Sequence, residues 1–130
     1  MDLAAERNNG DFVRSQILNG TVSACHDASD GGLLVALAEM LLAGTGGAEL
    51  PVKEYGAKFW FGEDQARYVV ALPNHGALIR LLADASKAGI PARHIGRTVV
   101  ENKLTLPNGS AISCVQLREA HEGFFPNWFA

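Results

Sequence analysis

The chain is short of cysteine, of basic charge and of long apolar runs, and each shortage closes off a class of function. Two cysteines, Cys25 and Cys114, in 130 residues cannot build a disulfide framework. Their apolar neighbours in the sequence suit buried, reduced thiols in the cytoplasm. No apolar run reaches the ~18 residues of a membrane span, and the opening MDLAAERNNG lacks the basic-then-apolar order of a secretory signal. Eleven basic against fourteen acidic residues give a net charge of −3, no footprint for nucleic acid or an anionic membrane. Neither partner is expected. C-x-x-C, H-x-x-x-H and Walker spacings are also missing, so no zinc site or P-loop is spelled out. GTGG at Gly44–Gly47 follows a helical pattern instead of a strand, which excludes a dinucleotide fingerprint.

What is present is a chain with 48% hydrophobic residues, enough for one domain that buries roughly two-thirds of its unfolded surface. Residues 1–9 are polar and weakly patterned and read as a leader, flexible or marking an artificial boundary; the domain proper is 10–130. DFVRSQIL predicts a short helix stopped at Asn19-Gly20, and TVSACH the first strand. Leu33, Leu34, Leu37 and Leu41 recur at helical spacing up to Gly44. AELPV and ARYVVAL read as strands, with an irregular stretch or one helical turn between them. Leu78, Leu81, Leu82 and Ala85 mark a second long helix ending at Gly89. HIGRTVV and KLTLP suggest a hairpin closed at Glu101-Asn102, then a short strand AIS, a helix VQLREAHE and the aromatic tail GFFPNWFA. Without the flanking helices the order is strand, helix, strand, strand, helix, strand. That predicts an α+β fold with a split βαβ, ferredoxin-like core, its mixed or antiparallel sheet covered by helices. So common an arrangement predicts no function by itself.

Two polar stretches stand out. In the first, His26, Asp27, Ser29, Asp30, Gly31 and Gly32 separate a strand from a helix. Asp30 or Ser29 can cap that helix while the glycines shape the turn. Alternatively, bare amides at the helix start attract phosphate, with a carboxylate-held Mg²⁺ bridging to it. In the second, Glu63, Asp64, Gln65 and Arg67 lie between Phe59-Trp60-Phe61 and a hydrophobic strand. They form either a solvated loop or an anchored recognition cluster. Cys25 and His26 are adjacent in a strand, so they point to opposite faces and make no nucleophile pair. Phe124, Phe125, Trp128 and Phe129 either fold back on the core or pack against another domain.

HDASDGGLLVALAEM and FGEDQARYVVALP, in that order and followed by LREAHEGFFPNWFA, carry a resemblance. From about Gly10 to its end the chain resembles the C-terminal, AIR synthase-related type domain of phosphoribosylformylglycinamidine synthase, in its synthetase subunit. The resemblance implies one of four domains of an ATP-dependent ligase of purine biosynthesis. That enzyme converts formylglycinamide ribonucleotide, ATP and ammonia from glutamine to the amidine, ADP and phosphate. It implies ATP and Mg²⁺ in the full-length enzyme, none tightly bound by this domain alone, and no catalytic residue here. It implies as partners the remaining domains of the subunit, a glutaminase and a small accessory subunit. Asp27 or Asp30 falls at a metal position of the family's catalytic half, and Glu63-Asp64-Gln65 at a substrate contact of that half. This chain resembles the other half, whose cleft is an auxiliary nucleotide site, a structural site, or empty. Asp64 departs from the serine usual in the substrate-binding half, and a carboxylate there repels a substrate phosphate. The candidate inter-domain or ligand cleft is therefore His26, Asp27, Asp30, Gly31, Gly32, Glu63, Gln65 and Arg67. Against this scaffold reading stand an independent small-molecule or nucleotide-binding module and a metal-dependent hydrolase.

Overall fold

The computed structural model describes residues 2–51 and 55–123; the aromatic tail lies outside them. The described elements run α1 (Leu3–Leu18), β1 (Ala24–Asp27), α2 (Gly32–Ala43), β2 (Gly47–Glu49), α3 (Ala57–Phe61) and β3 (Tyr68–Ala71). Then come α4 (His75–Ala88), β4 (Arg97–Val99), β5 (Lys103–Thr105), β6 (Ala111–Ser113) and α5 (Cys114–Glu122). The class is α+β, as the order of elements predicts, with antiparallel and mixed pairing divided over two sheets. The chain makes two compact units, whose boundary falls at Leu37/Ala38, inside α2.

The first unit takes the chain up to Leu37 and from Gly56 to His94. Its α1 starts at Leu3 because the Asp2 carboxylate accepts the Ala5 amide at 3.0 Å, satisfying one of the unpaired donors of a helix start. Residues 3–9, expected to form a leader, are therefore helical. The helix stops where the sequence predicts, at Asn19, and Gly20 turns the chain at φ +74°. β1 and β3 pair antiparallel, Ala24 opposite Ala71 and Asp27 opposite Tyr68. Gly10 lets α1 pass close to that ribbon, since a Cβ there would lie 3.2 Å from the Tyr68 hydroxyl. α4 starts with the Asn74 side chain accepting the Ala77 amide at 2.9 Å and closes on Gly89 at φ +69°. Val22, Ala28, Leu33, Ala36, Trp60, Val69, Ala77, Leu81 and Ala85 form the buried core, each large side chain contributing ~1.5–3 kcal/mol.

The second unit, Ala38 to Tyr55 with the chain from Ile95 on, holds a four-stranded sheet in the order β4-β2-β5-β6. Here the expected hairpin is corrected. β4 and β5 do not pair with each other; β2 lies between them, antiparallel to β4 and parallel to β5. Glycine makes the insertion sterically possible. A Cβ on Gly46 would sit 2.6 Å from the Val99 carbonyl oxygen, and one on Gly47 would strike the backbone oxygens of Glu101 and Lys103. Asn102 accepts the Gly46 amide at 3.1 Å, fixing the start of β2. Ala48, Leu50 and Leu104 are buried in this sheet. α5 begins with a capping box, Ser113 and Gln116 each accepting the other's backbone amide, a motif legible as S-x-x-Q. The expectation of two buried thiols is also corrected. Cys25 is exposed and Cys114 half-buried, because β1 presents most of its residues to solvent.

Candidate functional site

The β1–β3 ribbon brings the two polar stretches together. Its ladder continues past Asp27 with the Ala28 amide donating to the Arg67 carbonyl at 2.8 Å. The chain then turns into α2 through Gly31 (φ +82°) and Gly32 (φ +78°), a conformation that costs other L-residues ~1–2 kcal/mol. A Cβ on Gly32 would lie 2.6 Å from the Phe61 carbonyl carbon, so the start of α2 rests directly on the end of α3. Across this contact the Glu63 carboxylate accepts the Gly31 amide at 2.9 Å. The Gly32 amide goes to the Ser29 carbonyl at 3.0 Å.

The expected cap is therefore supplied differently. The carboxylate at the start of α2 comes from Glu63, 32 residues away in sequence. Among the described residues neither Asp30 nor Ser29 makes a side-chain hydrogen bond there, and both are exposed. His26 is half-buried, with Nδ1 2.6 Å from the Asp27 carbonyl oxygen and 3.6 Å from its carboxylate. Asp27, Asp64 and Gln65 are exposed. Arg67 turns inward: its guanidinium donates to the Phe59 carbonyl at 2.8 Å and the Gly62 carbonyl at 3.4 Å. It also lies 5.1 Å from the Phe59 ring centroid. These bonds satisfy carbonyls at the end of α3, so Arg67 positions the 59–63 segment.

Asn9 escapes notice in the sequence. Its side-chain amide donates to the Ala66 carbonyl at 2.9 Å, holding a residue that sits at φ +66° without being glycine. The segment around Asn9 reads as irregular, so nothing in the pattern announces the contact. Cys25, although exposed as a residue, has its thiol pKa pushed up by partial desolvation of the sulfur and then by the neighbouring Asp27 charge, the opposite of an activated nucleophile. Among the described residues no three His, Cys, Asp or Glu side chains come together to hold a metal ion. A divalent ion at Asp27 or Asp30 would need ligands from outside the described residues. A groove of about 530 Å³ in the second unit, with Asn102, Cys114 and Arg118 on its walls, includes none of the predicted residues.

The family "AIR synthase related protein, C-terminal domain" matches residues 1–107, and the chain belongs to it. Over its whole length it is 58% identical to phosphoribosylformylglycinamidine synthase subunit PurL of Acidiphilium cryptum (strain JF-5), covering 18% of that protein. It is 51% identical to the subunit PurL of Parvibaculum lavamentivorans (strain DS-1 / DSM 13023 / NCIMB 13966), with 100% of this chain and 18% of that one covered. It thus spans about a fifth of the length of these curated relatives. Among solved structures, Thermotoga maritima PurL complexed with FGAR superposes with a TM-score of 0.71 at 20% identity, covering 86% of this chain and 20% of the other. PurL of the same organism complexed with ATP gives 0.69 at 20% identity, over 85% and 21%. The structure of its PurLQS gives 0.71 at 21% identity, over 86% and 21%. At that identity the superpositions establish the fold alone.

Proposed function

We propose that this chain is the last domain of a phosphoribosylformylglycinamidine synthase, the ligase that joins an ammonia nitrogen from glutamine to formylglycinamide ribonucleotide at the expense of ATP. It acts there as scaffold and as one wall of an inter-domain cleft, and is inactive alone. The observation that carries this reading is the Gly31–Glu63 hydrogen bond. It holds the two family-bearing stretches side by side, where no metal-binding group of three His, Cys, Asp or Glu side chains is found among the described residues. The identity to PurL subunits over the full chain supports the same assignment.

ATP and Mg²⁺ belong to the complete enzyme and supply its phosphoryl-transfer chemistry. The residues of this chain orient and support. Gly31 and Gly32 set the entry of α2, Glu63 locks it, and Arg67 fixes the neighbouring segment. His26, Asp27, Asp30 and Gln65 form the rim that faces a companion domain. The remaining domains of the subunit, a glutaminase and a small accessory subunit are its partners, in the cytoplasm. Complementation is the test. The 130-residue chain alone turns over no substrate. Mixed with the rest of a PurL subunit, it restores amidine formation from ammonia. Turnover by this chain alone, or full activity of the remainder without it, overturns the reading; tight nucleotide binding by the lone chain would point to an independent module.

A further inference from the structure

We infer that Glu63 is the resident anion at the start of α2 and keeps nucleotide phosphates out of the Asp/Gly junction. A glycine-bearing turn into a helix is a ready site for phosphate when its amides are free. Here they are not. The Gly31 amide is bonded to the Glu63 carboxylate at 2.9 Å, and the Gly32 amide to the Ser29 carbonyl at 3.0 Å. The turn itself is tightly packed: a Cβ on Gly31 would meet Val35 at 2.7 Å, and one on Gly32 would meet the Phe61 backbone.

Glu63 is tethered, so a free phosphate competes with a carboxylate at an effective concentration of millimolar or more. Asp30 and Asp64 lie next in sequence to the clasped residues, and Asp27 four positions before Gly31. The basic group nearest in sequence, Arg67, is committed to the Phe59 and Gly62 carbonyls. The junction has the glycines of an anion cradle with a built-in occupant. Its role is to fasten α2 to the 59–63 segment.

The inference stands on bonds within this chain, so it survives a failed complementation, and complementation survives its failure. It is tested on the 130-residue chain by amide hydrogen exchange and by titrating the Gly31 amide resonance with inorganic phosphate. In the wild type the Gly31 resonance does not move in millimolar phosphate. In Glu63→Ala its exchange protection falls about tenfold and the resonance shifts saturably with phosphate. Glu63 is exposed, so its truncation leaves no cavity; should the alanine variant not fold, Glu63→Ser, whose oxygen sits two bonds closer to the backbone, carries the same comparison. A Gly31 amide that responds to phosphate equally in wild type and variant, or in neither, overturns the inference.

Discussion

Gly32 and Phe61 touch backbone to backbone: a methyl group on Gly32 would lie 2.6 Å from the Phe61 carbonyl carbon and 2.7 Å from its Cα. The same glycine is held at φ +78°. Gly32→Ala therefore meets two penalties, the left-handed conformation at ~1–2 kcal/mol and a collision that backbone cannot relieve by changing rotamer. We expect a loss of at least about 3 kcal/mol in denaturant unfolding, in line with strained overpacking. Gly20→Ala is the control. It has a similar φ, +74°, but open space around it, so only the ~1–2 kcal/mol conformational part applies. Equal losses at the two sites would show that the contact with Phe61 is loose.

Arg67 holds two carbonyls and stacks on Phe59. Its replacement by alanine leaves the Phe59 carbonyl without its donor. The expected cost is about 1–2 kcal/mol, discounted from the full value of a charged hydrogen bond because the residue is only half-buried. Arg67→Lys recovers little of it, since an ammonium group cannot span both oxygens and lie on the ring together. Urea melts of the three proteins check the order.

Gln16 is 3% exposed, donates to the Asp84 carboxylate at 3.2 Å, and leaves its own side-chain oxygen buried with no partner. Removing that oxygen costs little. Gln16→Met is expected within about 1 kcal/mol of wild type, because the lost bond is offset by the lost desolvation penalty and Asp84 is exposed enough to rehydrate. Gln16→Glu places a buried carboxylate beside Asp84 and is expected to cost at least about 2 kcal/mol at neutral pH. Thermal or urea unfolding separates the two, and a glutamate variant as stable as the methionine one would contradict the α1–α4 contact.

The Cys25 thiol holds its proton more tightly than a free cysteine, through partial desolvation first and the Asp27 charge second. Less thiolate is present near pH 8, so iodoacetamide should alkylate Cys25 more slowly than a free thiol. Asp27→Asn should speed the reaction by removing the second cause. The stability contributed by the protonated thiol is complete below the ordinary thiol pKa. It is lost as pH rises through the higher, folded-state value.

Much of the framework was legible because local chemistry and tertiary packing agree. Leu78, Leu81, Leu82 and Ala85, bounded by Asn74 and Gly89, give α4 its extent, and Asn19-Gly20 ends α1 as read. The failures have a common cause in long-range contacts. KLTLP and HIGRTVV carry a good hairpin pattern, but strand propensity cannot say that β2, some fifty positions earlier, takes the place between them. Asp30 satisfies every local rule for a cap, yet the bond comes from Glu63 across the α3 contact. The first turns of α1 show no apolar stripe in the sequence, since Leu3, Ala4 and Ala5 are followed by the polar run Glu6–Asn9. The two polar stretches stand out in the sequence, but their proximity follows from β1–β3 pairing, which single-sequence pattern leaves open.

The interleaving of β2 between strands made much later has a consequence for synthesis. As the polypeptide leaves the ribosome, Gly47–Glu49 has both hydrogen-bonding edges bare until Arg97–Thr105 emerges, so the second sheet cannot begin to form while the first unit is already complete. A nascent chain paused near His94 would expose that unsatisfied strand to any neighbour able to pair with it.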